Sequence, residues 1–511
     1  MATDLYMYLS LLLALYIFTR HILHKIQKLP PSPFPTLPIL GHLYLIRKPL
    51  HRTLSKISAR DGSILFLQLG SRRVLLVSSP SAAEECFIKN DIVFANRPHL
   101  LAGKYLGYNY TTLAWAPYGD HWRNLRRIAS LEILSSHRLQ MLHSIRVDEV
   151  KYMIRRLFLA SEAQQTVDMK RVFFDLMLNV MMRMIAGKRY YGEKAEEVEE
   201  AGRFWEIVVE TFRVGGASNM GDFLPALRWV GGGGLEKKLK ALQERRDGFM
   251  QELIEECRTK MERSSGGGDD SELGGRKKTM IEVLLSLQAT QPEYYTDEVI
   301  RGIMLNLLAA GTDTSVGTME WALSLLLNHP QVLKKAQAEI DNHMGQDSLM
   351  DESNIADLPY LRCIINETLR IYPPGPLLVP HESSEECIVG GYRIPKGTML
   401  LVNQWAIQND PKIWEDPIEF KPERFEGLEG ARDGFKLMPF GSGRRGCPGE
   451  GLAMRMIGLA LGSLIQCFDW ENVTEEMVDM TEGTGLTMPK ANPLIAKCIS
   501  RMSMFSLVSQ I

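Results

Sequence analysis

Residues 440–453, FGSGRRGCPGEGLA, hold the densest chemistry in the chain and admit two readings. Gly441, Gly443 and Gly446 spell G-x-G-x-x-G, the letters of a dinucleotide loop that cradles phosphate. Cys447 follows at once, at the mouth of the helical run GLAMRMIGLALGSLIQCF, where backbone N–H groups and the positive end of the helix would stabilise a metal-ligating thiolate. A dinucleotide loop follows a clean hydrophobic strand and opens further β-α units. Here the preceding DGFKLMPF is broken by Lys436 and Pro439, and only about sixty residues remain downstream. The metal reading uses more of the letters: glycines let the backbone wrap a flat cofactor, Cys447 supplies the donor, and Arg445 is placed to pair with an anionic group on that cofactor.

Two other clusters carry chemistry. AAGTDTS, residues 309–315, puts Gly311, three hydroxyls and the acid Asp313 inside an otherwise apolar helical pattern. Glycine weakens the helix there and Thr314 can bond back one turn, so the reading expects the ladder to open and admit a water. In LRCIINETLRIY, Glu367 and Arg370 stand three apart on one helical face, and Arg424 is placed to close an ionic network with them. Neither an H-E-x-x-H, a zinc-ligand cluster nor a nucleophile triad competes with these.

The elements that must hold these residues are mainly helical. The longest helix starts near YTDEVIRG with Thr296 as N-cap and stops near Asn328-His329-Pro330, a span of about 45 Å at about 1.5 Å per residue. SILFLQLGSRRVLLVSS (63–79) reads as a hairpin turning at Gly70-Ser71. Residues 263–278 and Gly231–Gly234 read as solvated or flexible points, but neither separates regions of different composition. The expectation is one α-dominated domain with a small β portion. At the amino end, Ala2 to Leu23 is long and apolar enough to cross a bilayer, with Asp4 and Arg20 snorkelling. Positive charge follows the apolar run at Arg20, Lys25 and Lys28, predicting an uncleaved anchor over 1–24 with the bulk of the protein cytosolic. The proline-rich segment 25–41 reads as a stiff hinge, and 42–511 as the catalytic domain. DFLPALRWV (222–230) is a second candidate for contact with membrane lipid.

Bulk properties exclude more than they assign. Net charge is −2, so no global field draws the chain to nucleic acid. Seven scattered cysteines without a C-x-x-C argue against a disulfide framework and fit a reducing compartment.

Phe440, Gly443, Arg445, Cys447 and Gly449 match F-x-x-G-x-R-x-C-x-G, and here the chain resembles the cytochrome P450 monooxygenases. Ala310 to Ser315 matches A-G-x-D/E-T-T/S, Glu367 and Arg370 match E-x-x-R, Pro422 to Phe425 reads P-E-R-F, and Trp122 and Arg126 fit W-x-x-x-R. With anchor and hinge, these span nearly the whole chain. The resemblance implies the fold of that family, with a long central helix and a haem-thiolate loop. It also implies haem b held through the Cys447 thiolate, with Phe440 and Gly449 in the loop and Trp122, Arg126, Arg445 and His381 toward the propionates. Asp313 and Thr314 would relay protons, and Glu367, Arg370 and Arg424 would brace the scaffold. The implied substrate pocket draws on Leu101, Leu307, Ala310, Leu377, Leu378, Val379, Leu486 and Thr487. Implied partners are NADPH–cytochrome P450 reductase, cytochrome b5, endoplasmic-reticulum lipid and a small apolar substrate. Stretches such as SAAEECFIKNDIVFANRP and VPHESSEEC resemble the plant group with isoflavone 2'-hydroxylases, sesamin synthase-like and trihydroxyxanthone synthase-like enzymes, implying phenolic hydroxylation or coupling. A terpenoid hydroxylase, or a haem-thiolate isomerase or dehydratase, is the alternative.

Overall fold

The computed structural model describes residues 2–191, 196–215, 219–227, 234–265, 278–345, 348–427 and 434–511. Most of the expected loop over 263–278, Gly231–Gly233, and the end of the 222–230 segment lie outside these. Gly234 itself opens a helix, Gly234–Ser265.

A 32-residue central helix, Asp297–Asn328, organises the molecule. Thr296 caps it by accepting from the Val299 N–H, and Asp297 and Glu298 place negative charge on its positive end. It stops at His329, before Pro330. The helices Met169–Ala186, Pro359–Ile371 and Glu450–Cys467 pack around it into one large apolar core. Met169–Ala186 approaches so closely that a Cβ on Gly311 would lie 2.9 Å from Met181 Sδ. Gly311 is therefore explained by packing rather than by a weakened helix. The expected opening of the ladder does not occur: the helix is continuous through residues 309–315. The Thr312 and Thr314 hydroxyls bond the carbonyls of Leu308 and Ala310, at 2.8 and 2.7 Å, without displacing the backbone ladder.

Nine strands occur among the described residues: β1 (Ile64–Leu69), β2 (Arg72–Val77), β3 (Thr166–Asp168), β4 (His381–Glu382), β5 (Cys387–Val389), β6 (Tyr392–Ile394), β7 (Met399–Val402), β8 (Phe468–Asn472) and β9 (Ile495–Ser500). The largest sheet runs β1-β2-β7-β4, with β2 and β7 parallel and the other pairs antiparallel. Both faces of β2 are covered, which accounts for its unbroken apolar run. Val74 and Leu76 pack with Leu54 and Ile57, while Leu75 and Val77 pack with Ala83 and Phe87. The β1-β2 turn is at Gly70, φ +57°, where a Cβ would meet the Phe223 carbonyl oxygen at 2.1 Å. Residues 222–227 are thus docked on this turn, with Ser71 N donating to the Phe223 carbonyl at 2.7 Å.

The amino-terminal helix Ala2–Ile26 stands apart from the core, exposed along nearly its whole length; Thr3–Ile26 is long and apolar enough to cross a membrane. The proline segment after it is clipped to β1: Phe66 N donates to the Pro31 carbonyl at 2.8 Å, and His42 bridges the Pro33 carbonyl and the Gln68 N–H, each at 2.8 Å.

Beneath the core, Glu367 and Arg370 are fully buried and joined by two bonds of 2.6 and 2.8 Å. Arg424 Nε adds a third at 3.1 Å and the Lys421 N–H a fourth at 3.0 Å. Arg370 spends its remaining donors on the carbonyls of Gln408, Pro417 and Glu419. Every charge is paired, so removing one partner strands another in low dielectric. Arg370→Ala is expected to cost about 3–5 kcal/mol of stability, measured by denaturant unfolding; a loss under about 1 kcal/mol would show the network to be dispensable.

Candidate active site

The loop before helix Glu450–Cys467 is a compact knot of backbone bonds. Gly441 N donates to Met438 O at 2.9 Å, Gly446 N to Gly443 O at 3.0 Å, and Cys447 N to Phe440 O at 2.8 Å. Gly443 sits at φ +68° against Asp91, where a Cβ would meet Asp91 Oδ1 at 2.5 Å. Asp91 Oδ1 also accepts the Arg444 N–H at 3.0 Å. The residues feeding this loop form no strand, which removes the structural context of a dinucleotide fingerprint.

Cys447 is the one exposed cysteine of the seven. Its thiol nonetheless lies within the protein mass, so desolvation pushes its pKa up. The Gly449 and Glu450 N–H groups and the charge of Arg126 work the other way, toward thiolate. Arg126 Nη1 donates to the Gly446 carbonyl at 2.5 Å, fixing the peptide just before the sulfur. Gly449 leaves room beside it: a Cβ there would be 3.7 Å from Sγ.

Around this loop gather cations with no carboxylate partner among the described residues. Arg445 is bound by the carbonyls of Ala95 at 2.6 Å, Ala116 at 2.5 Å and Leu113 at 3.3 Å, with its guanidinium 4.3 Å from the Trp122 ring centroid. Arg97, which the sequence reading did not single out, donates to the carbonyls of Val379 and Pro380 at 2.9 and 2.8 Å, and its buried Nε has no partner. Burial pulls both arginines down to about 9, and at Arg445 the charges of Arg97 and Arg126 add to it. His381, set at the start of β4, bonds the Phe94 carbonyl through Nδ1 at 2.7 Å. Burial, then Arg97 and Arg445, hold its pKa well below 6.5. The Trp122 indole N–H is taken by the Leu113 carbonyl at 3.1 Å, so Trp122 contributes a ring face rather than a free donor. Neutral carbonyls satisfy geometry here but not charge. The arrangement suits a ligand that brings carboxylates, and the two propionates of haem are such groups. Arg97 was illegible because ANRP carries no spacing signal; only the fold brings its charge to bear on Arg445.

The acid and alcohol of the central helix line one cavity, with Asp313 Oδ2 accepting from Thr487 Oγ1 at 2.7 Å. Burial raises the Asp313 pKa, opposed by the Thr487 hydroxyl and the charge of Lys170. Ala310 is the one exposed residue between Ile300 and Leu327. Phe440 packs half-buried against the main core. Among the other pocket candidates, Val379 and Leu486 are more than half exposed, Leu377 and Leu378 are half-buried, and Leu307 lies in the main core. Leu101 packs in a separate apolar cluster with Leu106, Leu239 and Leu242.

The hairpin carrying Leu486 and Thr487 is anchored at its base by Glu482. Its carboxylate accepts from His51 at 3.1 Å and from Arg52, which in turn lies 4.6 Å from the Trp405 ring centroid.

A sequence profile described as Cytochrome P450 matches residues 30–496. Among similar proteins, "Cytochrome P450 81Q32" of Catharanthus roseus is 51% identical, covering 100% of this chain and 99% of its own. "(+)-piperitol/(+)-sesamin synthase CYP81Q2" of Sesamum radiatum is 49% identical with the same coverages, and an isoflavone 2'-hydroxylase of Glycyrrhiza echinata is 48% identical over 93% of each. A zebra fish cytochrome P450 solved with progesterone superposes with a TM-score of 0.75 at 25% identity, covering 89% of this chain and 100% of that one.

The Glu482 anchor yields a pH dependence. Burial alone would raise this carboxyl, but the hydrogen bonds from His51 and Arg52 outweigh it and bring the pKa from 4.5 to about 2. A depressed folded-state pKa stabilises above the unfolded value and is lost as pH falls through the folded one. About 3 kcal/mol present at neutral pH should therefore vanish between about pH 5 and 2. Glu482→Gln is expected to lower the melting temperature at pH 7 and flatten this part of the acid decline; an unchanged decline would assign it to other carboxylates.

Proposed function

The chain belongs to the cytochrome P450 family, and on that footing we propose that it hydroxylates or oxidatively couples an apolar plant phenolic of flavonoid, lignan or xanthone/benzophenone type. Membership makes it a haem-dependent monooxygenase that draws NADPH-derived electrons through a reductase. The phenolic assignment is supported by the similarity to an isoflavone 2'-hydroxylase and a sesamin synthase at 48–49% identity over nearly full length.

Haem with a thiolate on its iron activates O2 so that one oxygen atom enters the substrate. The chain's own residues do the rest. Cys447 is the proposed iron ligand, because it is the exposed cysteine and its loop turns backbone N–H groups toward the sulfur. Arg97, Arg126, Arg445 and His381 hold the propionates, and Trp122 lends its ring as a wall. Asp313 carries a proton from the cavity and Thr314, the next residue of the helix, passes it on. Ala310, Val379 and Leu486 offer exposed apolar surface for a flat aromatic skeleton, with Leu377 and Leu378 beside them. The observation that carries this reading is the largely buried cationic cluster beside the Cys447 loop, which has carbonyls for company and no carboxylate among the described residues.

The exposed apolar helix Thr3–Ile26 fits an endoplasmic-reticulum anchor. The catalytic part then faces the cytosol, with residues 222–227 near the lipid and cytochrome b5 as a second electron donor.

Three outcomes test the proposal. The dithionite-reduced protein under carbon monoxide should give the absorption of a thiolate-ligated haem, and Cys447→His should abolish that band while retaining fold by circular dichroism. Thr314→Ala should keep the band and the NADPH consumption but lower product per NADPH by about tenfold, the lost electrons appearing as peroxide. Binding-difference spectra with isoflavones, lignans and hydroxybenzophenones should show spin shifts that a terpenoid panel does not; the reverse result would move the substrate to terpenoids.

A further inference from the structure

The hairpin beside the central helix is braced on three sides. Glu482 ties its base to His51 and Arg52. Gly483 N donates to Pro489 O at 2.8 Å and Ala491 N to Thr481 O at 2.9 Å, which closes the hairpin. Trp321, on the central helix itself, donates its indole N–H to the Met488 carbonyl at 2.7 Å. Thr487 is next in sequence to Met488, so its hydroxyl reaches Asp313 from a fixed point.

Asp313 Oδ2 takes that hydroxyl proton at 2.7 Å, and no other described residue donates to the carboxylate. Behind it lies a small cavity of about 20 Å³ lined by Lys170, Asp313, Thr314, Glu320, Tyr372 and Thr487 among others. A space of this size, with several polar side chains in its wall, has room for about one water. Glu320 is held back by the Leu494 N–H at 3.0 Å, while Lys170 has no hydrogen-bond partner among the described residues. Lys170 is also the charge that Asp313 feels. A free aspartate with two rotatable bonds would turn toward that lysine and form an ion pair, where a proton carrier is of no use.

We propose that Thr487 is the positioning residue for Asp313, its hydroxyl tying one carboxylate oxygen so that the other stays free to exchange protons with water in the Lys170–Glu320 cavity. This deepens the monooxygenase reading above and rests on it. The step is a proton transfer only: a hydronium in the cavity gives its proton to Oδ1, leaving water, and the carboxylic acid gives it on toward the Thr314 hydroxyl, restoring the carboxylate. No electron moves within these residues. The high pKa that burial imposes on Asp313 helps it accept that proton.

The test compares Thr487→Val, which keeps the shape and loses the donor, with Thr487→Ser, which keeps the donor. Full-length protein reconstituted with reductase is expected to retain its carbon monoxide spectrum in both variants. Thr487→Val should lower product per NADPH by about tenfold, the low end of the scale for one lost hydrogen bond to a charged group, and Thr487→Ser should recover most of it. A second readout needs no turnover. Thr487→Val and Asp313→Asn should shift the melting temperature non-additively, the double variant melting close to the lower single variant. Equal coupling in Thr487→Val and wild type, equal loss in Val and Ser, or additive melting shifts would each overturn the proposal. Failure of the monooxygenase reading shows itself separately, as a missing thiolate-type spectrum in the wild type, and the melting cycle still decides whether Thr487 holds Asp313.

Discussion

Positive charge buried without a matching anion is the constraint around which the site is built. Arg97, Arg126 and Arg445 meet carbonyl dipoles at good hydrogen-bond distances. Dipoles satisfy direction but leave net charge in a poorly solvated place, as the lowered pKa values of all three arginines record. A dianionic porphyrin together with a thiolate is the complement of such a cluster. Binding of that kind favours the folded state by mass action, so the cost of assembling three cations is set against the affinity for the cofactor.

The rest of the molecule treats charge in the opposite way. Glu367 and Arg370 are as deeply buried as Arg97, yet every donor and lone pair there is used, and a second arginine and a backbone N–H complete the carboxylate. Glu482 is closed off similarly by His51 and Arg52. The difference separates scaffold from site: a saturated network fixes geometry and has no capacity left for a ligand, whereas an unsaturated one is stable only in company. Burial alone does not distinguish the two classes, but the partner inventory does.

The parts legible in the sequence were those governed by local physics. Thr296, the acids after it and Pro330 bound the central helix as their capping chemistry dictates, and Gly70 marks the hairpin turn. Glu367 and Arg370 were readable because three residues on a helix is a contact in itself. What escaped depends on distant chain. Gly311 looked like a weak point in a helix, while its cause is Met181 on a neighbouring helix. Arg97 looked like any surface arginine until the fold set it beside Arg445 and His381. Resemblance places Thr487 only in the substrate pocket, and its bond to Asp313, which joins residues 174 positions apart, was not legible.

That last contact ties two properties usually considered apart. Leu486 is more than half exposed, apolar surface that the proposal gives to the substrate, and the next residue holds Asp313, the acid to which the proposal gives proton transfer. The hairpin is braced at its base and again at Met488, so a change at its tip has little backbone slack to absorb it. A bulkier side chain at residue 486 would reshape the substrate surface, and any displacement of its backbone would pass to Thr487 through a single peptide link. Because a hydrogen bond weakens steeply once its distance and angle leave their narrow range, a shift of a few tenths of an ångström there would slacken the hold on Asp313. On the proposed roles, selectivity for substrate and economy of electrons would be coupled through this geometry, and divergence at the hairpin tip would be constrained to solutions that leave the threonine hydroxyl where it is.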